Sequence, residues 1–282
     1  FSSIEELAKQ IDQDFSNEED KTRAVYSWIA NNVEYDFKLA KTKNKRIRIS
    51  YESEEERKQK EYDIMYEDAN STLKRRKAVC EGYSSLFKIL CDLNDIECVK
   101  VQGFSKLSPR YIGKIPKVPD HTWNAVKING EWKLVDVTWG AGHKDDQSGK
   151  FVKQFTDIFF FTDPDDFVLN HYPLDKKWLL TDKSIEEFSN YPFVYDYYFT
   201  SDVKLKNPPE GLLQMKSDRT VSLEIEGENI GELEYTTNSG RTYLKAKPTI
   251  INGLSNYQFK VSGSYLEIFI NNNGWATFKI ER

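Results

Sequence analysis

The chain has 282 residues, a net charge of −5 from 40 basic and 45 acidic side chains, and an aromatic content of 14%. This length suits one large domain, or a catalytic-size domain with a small partner. The aromatic content argues against disorder, and the near-balanced charge gives no general electrostatic reason to bind nucleic acid or an anionic membrane. Because no apolar run reaches the ~18 residues that cross a bilayer, we also expect no transmembrane segment.

Two short amphipathic helices are predicted at the start of the chain. Apolar residues recur at helical spacing from Ile4 and again up to Val33. Between the two helices, the segment from Phe15 to Asp20 offers a capping residue followed by acids, which is typical of a helix N-terminus. The segment from Lys41 to Lys60 has basic residues first and glutamates later. We interpret this segment as a solvated surface excursion, with a contact to a polyanion as the alternative.

A further helix and then a set of strands are predicted in the middle of the chain. Cys80 to Leu93 carries one apolar stripe, and Ile96 to Phe104 alternates apolar and polar residues. From His121 to Trp139, two alternating runs surround the pair Asn129-Gly130, which is the strongest short-range signal for a β-hairpin. The sequence therefore predicts a hairpin with these two residues as its loop.

The hairpin register brings two chemically active side chains together. If Asn129 and Gly130 form the loop, cross-strand partners have residue numbers that add up to 259, so His121 and Asp136 are diagonal neighbours on one face. Such neighbours are about 7 to 8 Å apart between backbones and closer between side chains. An imidazole and a carboxylate can therefore meet, whereas a slip of one residue would place them on opposite faces.

One of the three cysteines is placed to act as a nucleophile. Cys80 follows a basic run and opens the predicted helix, where backbone N–H groups and the helix dipole stabilise a thiolate. Cys91 lies within that helix and Cys98 within a strand, so we expect both to be buried and inert. A helix covering the face of His121 and Asp136 would complete a nucleophile, base and orienting acid. In the alternative interpretation, Cys80 is a core residue and the other two form a local surface hydrogen bond.

Short strands dominate the chain after Asn207-Pro208-Pro209. They are separated by turn residues, and their spacing predicts a small antiparallel β-sandwich. We therefore expect two domains: residues 1–202 form an α+β catalytic core with an aromatic-rich extension, and residues 203–282 form an all-β sandwich-like module.

The motifs KAVCEGYSSLFKILCDLNDIECVKVQGF and HTWNAVKINGEWKLVDVTWG resemble the core of the transglutaminase-like superfamily, and FTDPDDFVLNHYPLDKKWLL resembles bacterial relatives of the kyphoscoliosis peptidase group. The resemblance extends from about Ala24 to Leu180. It implies a papain-like fold in which helices pack on an antiparallel sheet. It also implies that Cys80 is the nucleophile, His121 the general base and acid, and Asp136 the group that fixes the imidazole tautomer. Ala78 is a departure, because many relatives have glycine there.

The remaining site residues are less specific. The Cys80 N–H is the natural first oxyanion donor. The resemblance offers an upstream aromatic residue as the second donor, either Trp28 or Tyr35, although both suit a core position as well. Trp123 and Trp139 are candidates for residues flanking the site. His143 and His171 are expected to be structural or exposed, and we predict neither a metal nor a cofactor.

These features predict a cysteine-dependent acyl transfer on amide bonds of protein or peptide substrates, including cell-wall peptide. Water as the acceptor gives peptidase or amidase activity, and a lysine amine gives crosslinking. One alternative is a non-catalytic module that retains the fold and binds a protein or a cell surface. Another is arylamine acetyl transfer, although nothing in the chain indicates a site for its donor. The missing initiator Met and the β-module favour an exported bacterial protein, whereas the unpaired thiols also suit a cytosolic one. The sequence predicts no oligomeric state.

Overall fold

A computed structural model describes residues 1–42, 50–145, 147–228 and 230–282. Its helices are α1 (Ile4–Asp14), α2 (Glu18–Asn32), α3 (Phe37–Thr42), α4 (Glu54–Arg75), α5 (Cys80–Asp92), α6 (Val137–Ala141), α7 (Pro164–Phe167), α8 (Ile185–Asn190) and α9 (Asp196–Thr200). Short 3-10 turns cover Pro109–Tyr111 and Lys176–Trp178. Among the helices of the described ranges, none is long and apolar enough to cross a membrane.

The strands are short and concentrated in the second half of the chain. They are β1 (Glu34–Tyr35), β2 (Lys77–Ala78), β3 (Cys98–Ser105), β4 (His121–Ile128), β5 (Glu131–Val135), β6 (Gly142–Lys144), β7 (Phe151–Lys153), β8 (Phe160–Thr162), β9 (His171–Pro173), β10 (Phe193–Val194), β11 (Lys204–Asn207), β12 (Leu212–Gln214), β13 (Thr220–Glu226), β14 (Leu233–Thr236), β15 (Leu244–Ala246), β16 (Thr249–Ile251), β17 (Leu254–Lys260), β18 (Tyr265–Ile270) and β19 (Asn273–Glu281).

The end of the predicted surface excursion, from Glu54 to Lys60, is the first part of a long helix that the sequence pattern does not reveal. α4 begins after Ser53, whose side chain accepts a hydrogen bond from the Glu56 N–H. Its buried residues, Ala69, Thr72 and Leu73, all lie near its C-terminal end, so most of the helix shows no apolar periodicity. The excursion is therefore helical over its acidic half. Lys41 is exposed near the end of α3, and the basic residues from Lys43 to Arg48 lie outside the described residues, as does the alternative of a polyanion contact.

The chain divides into two compact units, the first of which comprises Phe1–Gly103, Asp120–Asp163 and Pro173–Leu180. Within this unit β8, β5, β4 and β3 are neighbours in that order, and each of these neighbouring pairs is antiparallel. The helices α1 and α2 pack on α5, and α5 packs on β4, in one apolar core that includes Tyr26 and Phe87. Helices on an antiparallel sheet are the α+β architecture that the sequence predicts.

The second unit comprises Phe104–Pro119, Pro164–Tyr172 and Thr181–Arg282. One sheet has the order β10-β19-β18-β14-β15 with β12 also on β19, and the other has the order β11-β13-β17-β16. Buried side chains from both sheets share one core, with Ile225 and Phe259 from one sheet and Ile268 and Phe278 from the other. This arrangement confirms the predicted β-sandwich. The predicted domain boundary at residues 202 and 203 stays a prediction, and the second unit has residues on both sides of it.

Candidate active site

Cys80 is the first residue of α5, as predicted, and its side chain is half-buried. The chain just before it is fixed by parallel pairing of β1 with β2, in which Tyr35 lies opposite Ala78. Gly82 allows α5 to pack closely against α4 and β2, because a Cβ there would lie 2.4 Å from Thr72 Oγ1 in α4 and 2.7 Å from the Ala78 Cβ in β2. The alanine that departs from the family pattern is thus accommodated by a glycine in the next turn.

Two hydrogen bonds fix α5 on the sheet. Ser84 Oγ donates to the Thr122 carbonyl at 3.0 Å, and Asn124 Nδ2 donates to the Ser84 carbonyl at 3.2 Å. Residues four apart share one face of a helix, so Cys80 lies one turn before Ser84 and level with the start of β4. The expectation that a helix covers the face of β4 bearing His121 is wrong, because α5 packs on the opposite face, which carries Asn124 and Val126.

The hairpin has the predicted register. Cross-strand partners from Ile128 and Glu131 to Asn124 and Val135 add up to 259. Both loop residues have positive φ, 50° at Asn129 and 87° at Gly130, as a type I′ turn requires.

Asp136 lies immediately after the hairpin rather than within it. β5 ends at Val135, so the expected strand does not continue to Trp139. Asp136 is instead the N-cap of α6, and its Oδ1 accepts hydrogen bonds from the N–H groups of Thr138 at 2.9 Å and Trp139 at 3.1 Å. This capping competes with the strand conformation, which is why the alternating pattern is interrupted. The other carboxylate oxygen, Oδ2, lies 2.6 Å from His121 Nε2.

The His121–Asp136 contact is buried, since the two residues are 7% and 0% exposed. Burial alone would lower the pKa of His121. The negative charge and hydrogen bond of Asp136, together with a hydrogen bond and a charge interaction with Cys80, outweigh the burial and raise the pKa to about 10. The imidazole therefore carries its proton at neutral pH.

Aromatic rings enclose this pair. The rings of Trp123 and Trp139 have their centroids 6.0 and 5.8 Å from that of His121. Trp123 is fully buried and Trp139 half-buried. Both predicted flanking residues therefore lie beside the imidazole, where apolar rings limit access of water and strengthen the electrostatic contacts.

The two candidates for the second oxyanion donor have different surroundings. Burial is the main cause that raises the pKa of the half-buried Tyr35, and interactions with Cys80 and Asp136 add to it, so its hydroxyl stays protonated. Trp28 packs elsewhere: the Arg76 guanidinium lies 4.5 Å from its ring centroid, and the Phe1 ring lies 6.0 Å away.

The other cysteines and histidines differ in their exposure to solvent. Cys91 and Cys98 are buried, as predicted, and burial followed by a hydrogen bond with Cys98 raises the pKa of Cys91. His143 is exposed on β6. His171 is buried, and its ring stacks on Phe167 with centroids 4.1 Å apart.

Comparisons with known proteins agree with the predicted resemblance. Residues 5–137 match the model of the transglutaminase-like superfamily, a range that includes Cys80, His121 and Asp136. These residues form a transglutaminase-like core. The kyphoscoliosis peptidase of Mus musculus is 28% identical over 231 residues, which cover 79% of this chain and 32% of that protein.

Two further proteins are similar to parts of this chain. The Lim and transglutaminase domain protein ltd-1 of Caenorhabditis elegans is 29% identical over 240 residues, covering 79% of this chain and 30% of the worm protein. A solved structure of a TGase is 20% identical and covers 56% of this chain and 35% of that one, with a TM-score of 0.34. This chain spans about a third of the length of these two curated relatives.

Proposed function

We propose that this transglutaminase-like chain is a cysteine-dependent acyl-transfer enzyme that acts on amide bonds of proteins or peptides. Cys80 is the nucleophile, His121 the general base and acid, and Asp136 the group that orients the imidazole. The supporting observation is the buried 2.6 Å contact between His121 and Asp136, together with the Cys80 hydrogen bond that contributes to the raised pKa of His121.

The first half-reaction forms a thioester. Asp136 holds one proton of His121 on Nε2, so Nδ1 is the nitrogen that holds the proton given up by Cys80, and the raised pKa of His121 keeps that proton there before the substrate arrives. The sulfur attacks the amide carbon, and the tetrahedral intermediate collapses as the C–N bond breaks. The proton on Nδ1 then passes to the departing amine, which leaves an acyl group on Cys80.

Two groups would stabilise the oxyanion of that intermediate. The Cys80 backbone N–H lies at the N-terminus of α5, where it has no partner within the helix. We assign the second donor to the Tyr35 hydroxyl rather than to Trp28, because β1 places Tyr35 opposite Ala78, two residues before Cys80. Its raised pKa keeps the hydroxyl protonated and able to donate.

The second half-reaction determines the type of enzyme. Water attacking the thioester gives hydrolysis, and a lysine amine gives a crosslink. The relatives include one protein named a peptidase and one named for a transglutaminase domain. We include both acceptors in the proposal, with cell-wall peptide as a candidate substrate in a bacterial, extracytoplasmic setting.

The test offers the protein both reactions at once. A glutamine-containing peptide is incubated with a fluorescent primary amine, and amine incorporation and peptide cleavage are measured in parallel. We expect at least one product with the wild type and none with Cys80→Ala. Cys98→Ala is the matched control, because it removes a buried thiol of the same core and should keep the activity. If Cys80 reacts with iodoacetamide no faster than a free model thiol and neither product forms, the chain is a non-catalytic module.

A further inference from the structure

Glu81, the residue after Cys80, connects the start of α5 to two strands of the sheet. Its Oε1 accepts a hydrogen bond from Lys100 Nζ on β3 at 2.5 Å. Its Oε2 accepts a hydrogen bond from Thr122 Oγ1 on β4 at 3.1 Å. Lys100 Nζ also donates to Ser85 Oγ at 3.0 Å. Both carboxylate oxygens are thus engaged by the sheet.

The positions of these partners relate directly to the proposed catalytic pair. Glu81 is bonded in sequence to Cys80, and Thr122 to His121, so the Glu81–Thr122 hydrogen bond links the immediate neighbours of nucleophile and base. The Ser84–Thr122 bond makes a second link one turn further along α5. Together they fix the first turn of the helix against the first residues of the strand.

The small free energy expected from the Glu81–Lys100 ion pair favours a role in positioning Cys80 over a role in stabilising the fold. The side chains of Glu81 and Lys100 are 42% and 20% exposed, and partly exposed ion pairs contribute only about 0.2 to 1 kcal/mol. In contrast, misplacing a reacting group by 1 Å can cost roughly 100-fold in rate. Loss of the contact should therefore affect the reactivity of Cys80 far more than the free energy of unfolding.

We infer that Glu81 is a positioning residue, whose carboxylate bridges Lys100 and Thr122 and thereby holds Cys80 at hydrogen-bonding distance from His121. This inference rests on the proposed function for its catalytic consequence. It concerns the Cys80–His121 pairing itself, which can be measured without a substrate.

The experiment uses the full chain and compares Glu81→Ala, Glu81→Gln and Thr122→Val with the wild type. The first readout is the rate of Cys80 alkylation by iodoacetamide between pH 5 and 9, with the site mapped by mass spectrometry. We expect Glu81→Ala to slow alkylation at pH 6 by about ten-fold or more and to move the pH profile towards that of an ordinary thiol. Glu81→Gln should be intermediate, because an amide oxygen can still accept a hydrogen bond from Thr122.

A matched control lies in the same helix. Lys88 and Asp92 form a partly buried ion pair at the other end of α5, with Nζ and Oδ1 2.6 Å apart. Asp92→Asn removes this pair and should leave the alkylation rate and pH profile of Cys80 unchanged. Thermal unfolding of each variant shows whether it is folded, and Thr122→Val tests the bridge if Glu81→Ala does not fold.

The second readout is the NMR titration of the His121 imidazole. Because Cys80 contributes to the raised pKa of His121, its displacement in Glu81→Ala should lower that pKa by about one unit, a ten-fold change in acid dissociation. Unchanged alkylation and an unchanged titration in Glu81→Ala overturn the inference. If wild-type Cys80 reacts only as fast as a model thiol, the proposed function fails, and the His121 titration alone decides whether Glu81 positions the pair.

Discussion

At the scale of single residues, the Asp136 carboxylate has two tasks that one substitution separates. In Asp136→Asn, the amide oxygen can still accept the capping hydrogen bonds from Thr138 and Trp139. The amide nitrogen, however, would face His121 Nε2 and donate to it, which moves the imidazole proton to Nδ1. A base protonated at Nδ1 cannot take the proton from Cys80.

We therefore expect Asp136→Asn to fold normally and to lose activity by about 10³ to 10⁴-fold, the scale of the corresponding change in serine protease triads. Turnover of the glutamine-containing peptide measures this loss, and NMR should show a fall in the pKa of His121. An active Asp136→Asn variant would contradict the role given to the carboxylate. Thr138→Val is the control, because Asp136 accepts from the backbone of that residue and not from its side chain.

At the scale of secondary structure, α6 is held in a space that admits only glycine at one position. A Cβ on Gly140 would lie 1.8 Å from the Tyr26 hydroxyl and 2.5 Å from its ring carbon Cζ. Tyr26 is fully buried and its hydroxyl donates to the Thr156 carbonyl at 2.7 Å, so the ring has no room to move aside. Any displacement is instead taken up by α6, whose N-cap is Asp136.

Gly140→Ala should therefore reduce the free energy of unfolding by about 1 to 3 kcal/mol, the usual cost of overpacking. Activity should fall by more than the loss of folded protein explains, because Asp136 is the N-cap of α6 and moves with it. Urea unfolding and peptide turnover measure the two effects. Gly130→Ala in the hairpin loop is the comparison: it meets no atom within 4 Å, so its cost comes only from the positive φ of that position and activity should persist. Equal losses of activity in both variants would contradict this account.

The elements also show how far local sequence determines the site. The hairpin register follows from two loop residues and an alternating pattern, so the approach of His121 to Asp136 is predictable from the sequence. The face of the sheet that α5 covers depends on contacts between residues distant in sequence, such as Ser84 with Thr122. The sequence pattern does not contain this information, and the predicted face is wrong. The capping role of Asp136 is also missed, because a single side chain there ends a strand that the pattern continues.

At the scale of the whole molecule, the second unit depends on chain segments on both sides of the predicted boundary at 202 and 203. Leu169, Val194 and Tyr198 belong to the same apolar core as the sandwich strands, and β10 pairs with β19. Deleting residues 203–282 removes those partners and exposes the three side chains to water. Sequence patterns do not reveal this dependence, because the contacts join segments up to about a hundred residues apart.

A chain ending at Asp202 should therefore be cut by proteases within the remaining segments of the second unit, which are residues 104–119, 164–172 and 181–202, while α5 and the hairpin of β4 and β5 in the first unit stay resistant. Limited proteolysis followed by mass spectrometry, with the full chain as control, locates the cuts. Protection of residues 185–200 in the shortened chain, equal to that in the full chain, would show that residues 1–202 fold as a domain without the sandwich strands.

Two buried groups, His121 and Lys106, should have opposite effects on the pH dependence of the free energy of unfolding. The pKa of His121 is raised from 6.5 to about 10, so its contribution is fully present below pH 6.5 and is lost as the pH rises through 10. Lys106 is 1% exposed and donates to the carbonyls of Phe188 and Tyr191 at 2.6 and 2.8 Å. Burial lowers its pKa from 10.5 to about 7, so the folded state binds fewer protons than the unfolded state between pH 7 and 10.5, and this contribution to stability grows with pH.

Between pH 7 and 10 the two groups change the free energy of unfolding in opposite directions. In the wild type, the titration of these two groups should therefore change that free energy only weakly with pH. Lys106→Met removes the rising contribution, so its free energy of unfolding should fall steeply from pH 7 to pH 9.5. His121→Asn removes the falling contribution, so its free energy should rise over the same interval. Urea unfolding at several pH values measures both slopes. Burial of the Lys106 amine and pairing of the His121 imidazole with a carboxylate shift the two pKa values in opposite directions, so the free energy of unfolding should change with pH in opposite directions in the two variants. The same slope in both variants would contradict these two pKa shifts.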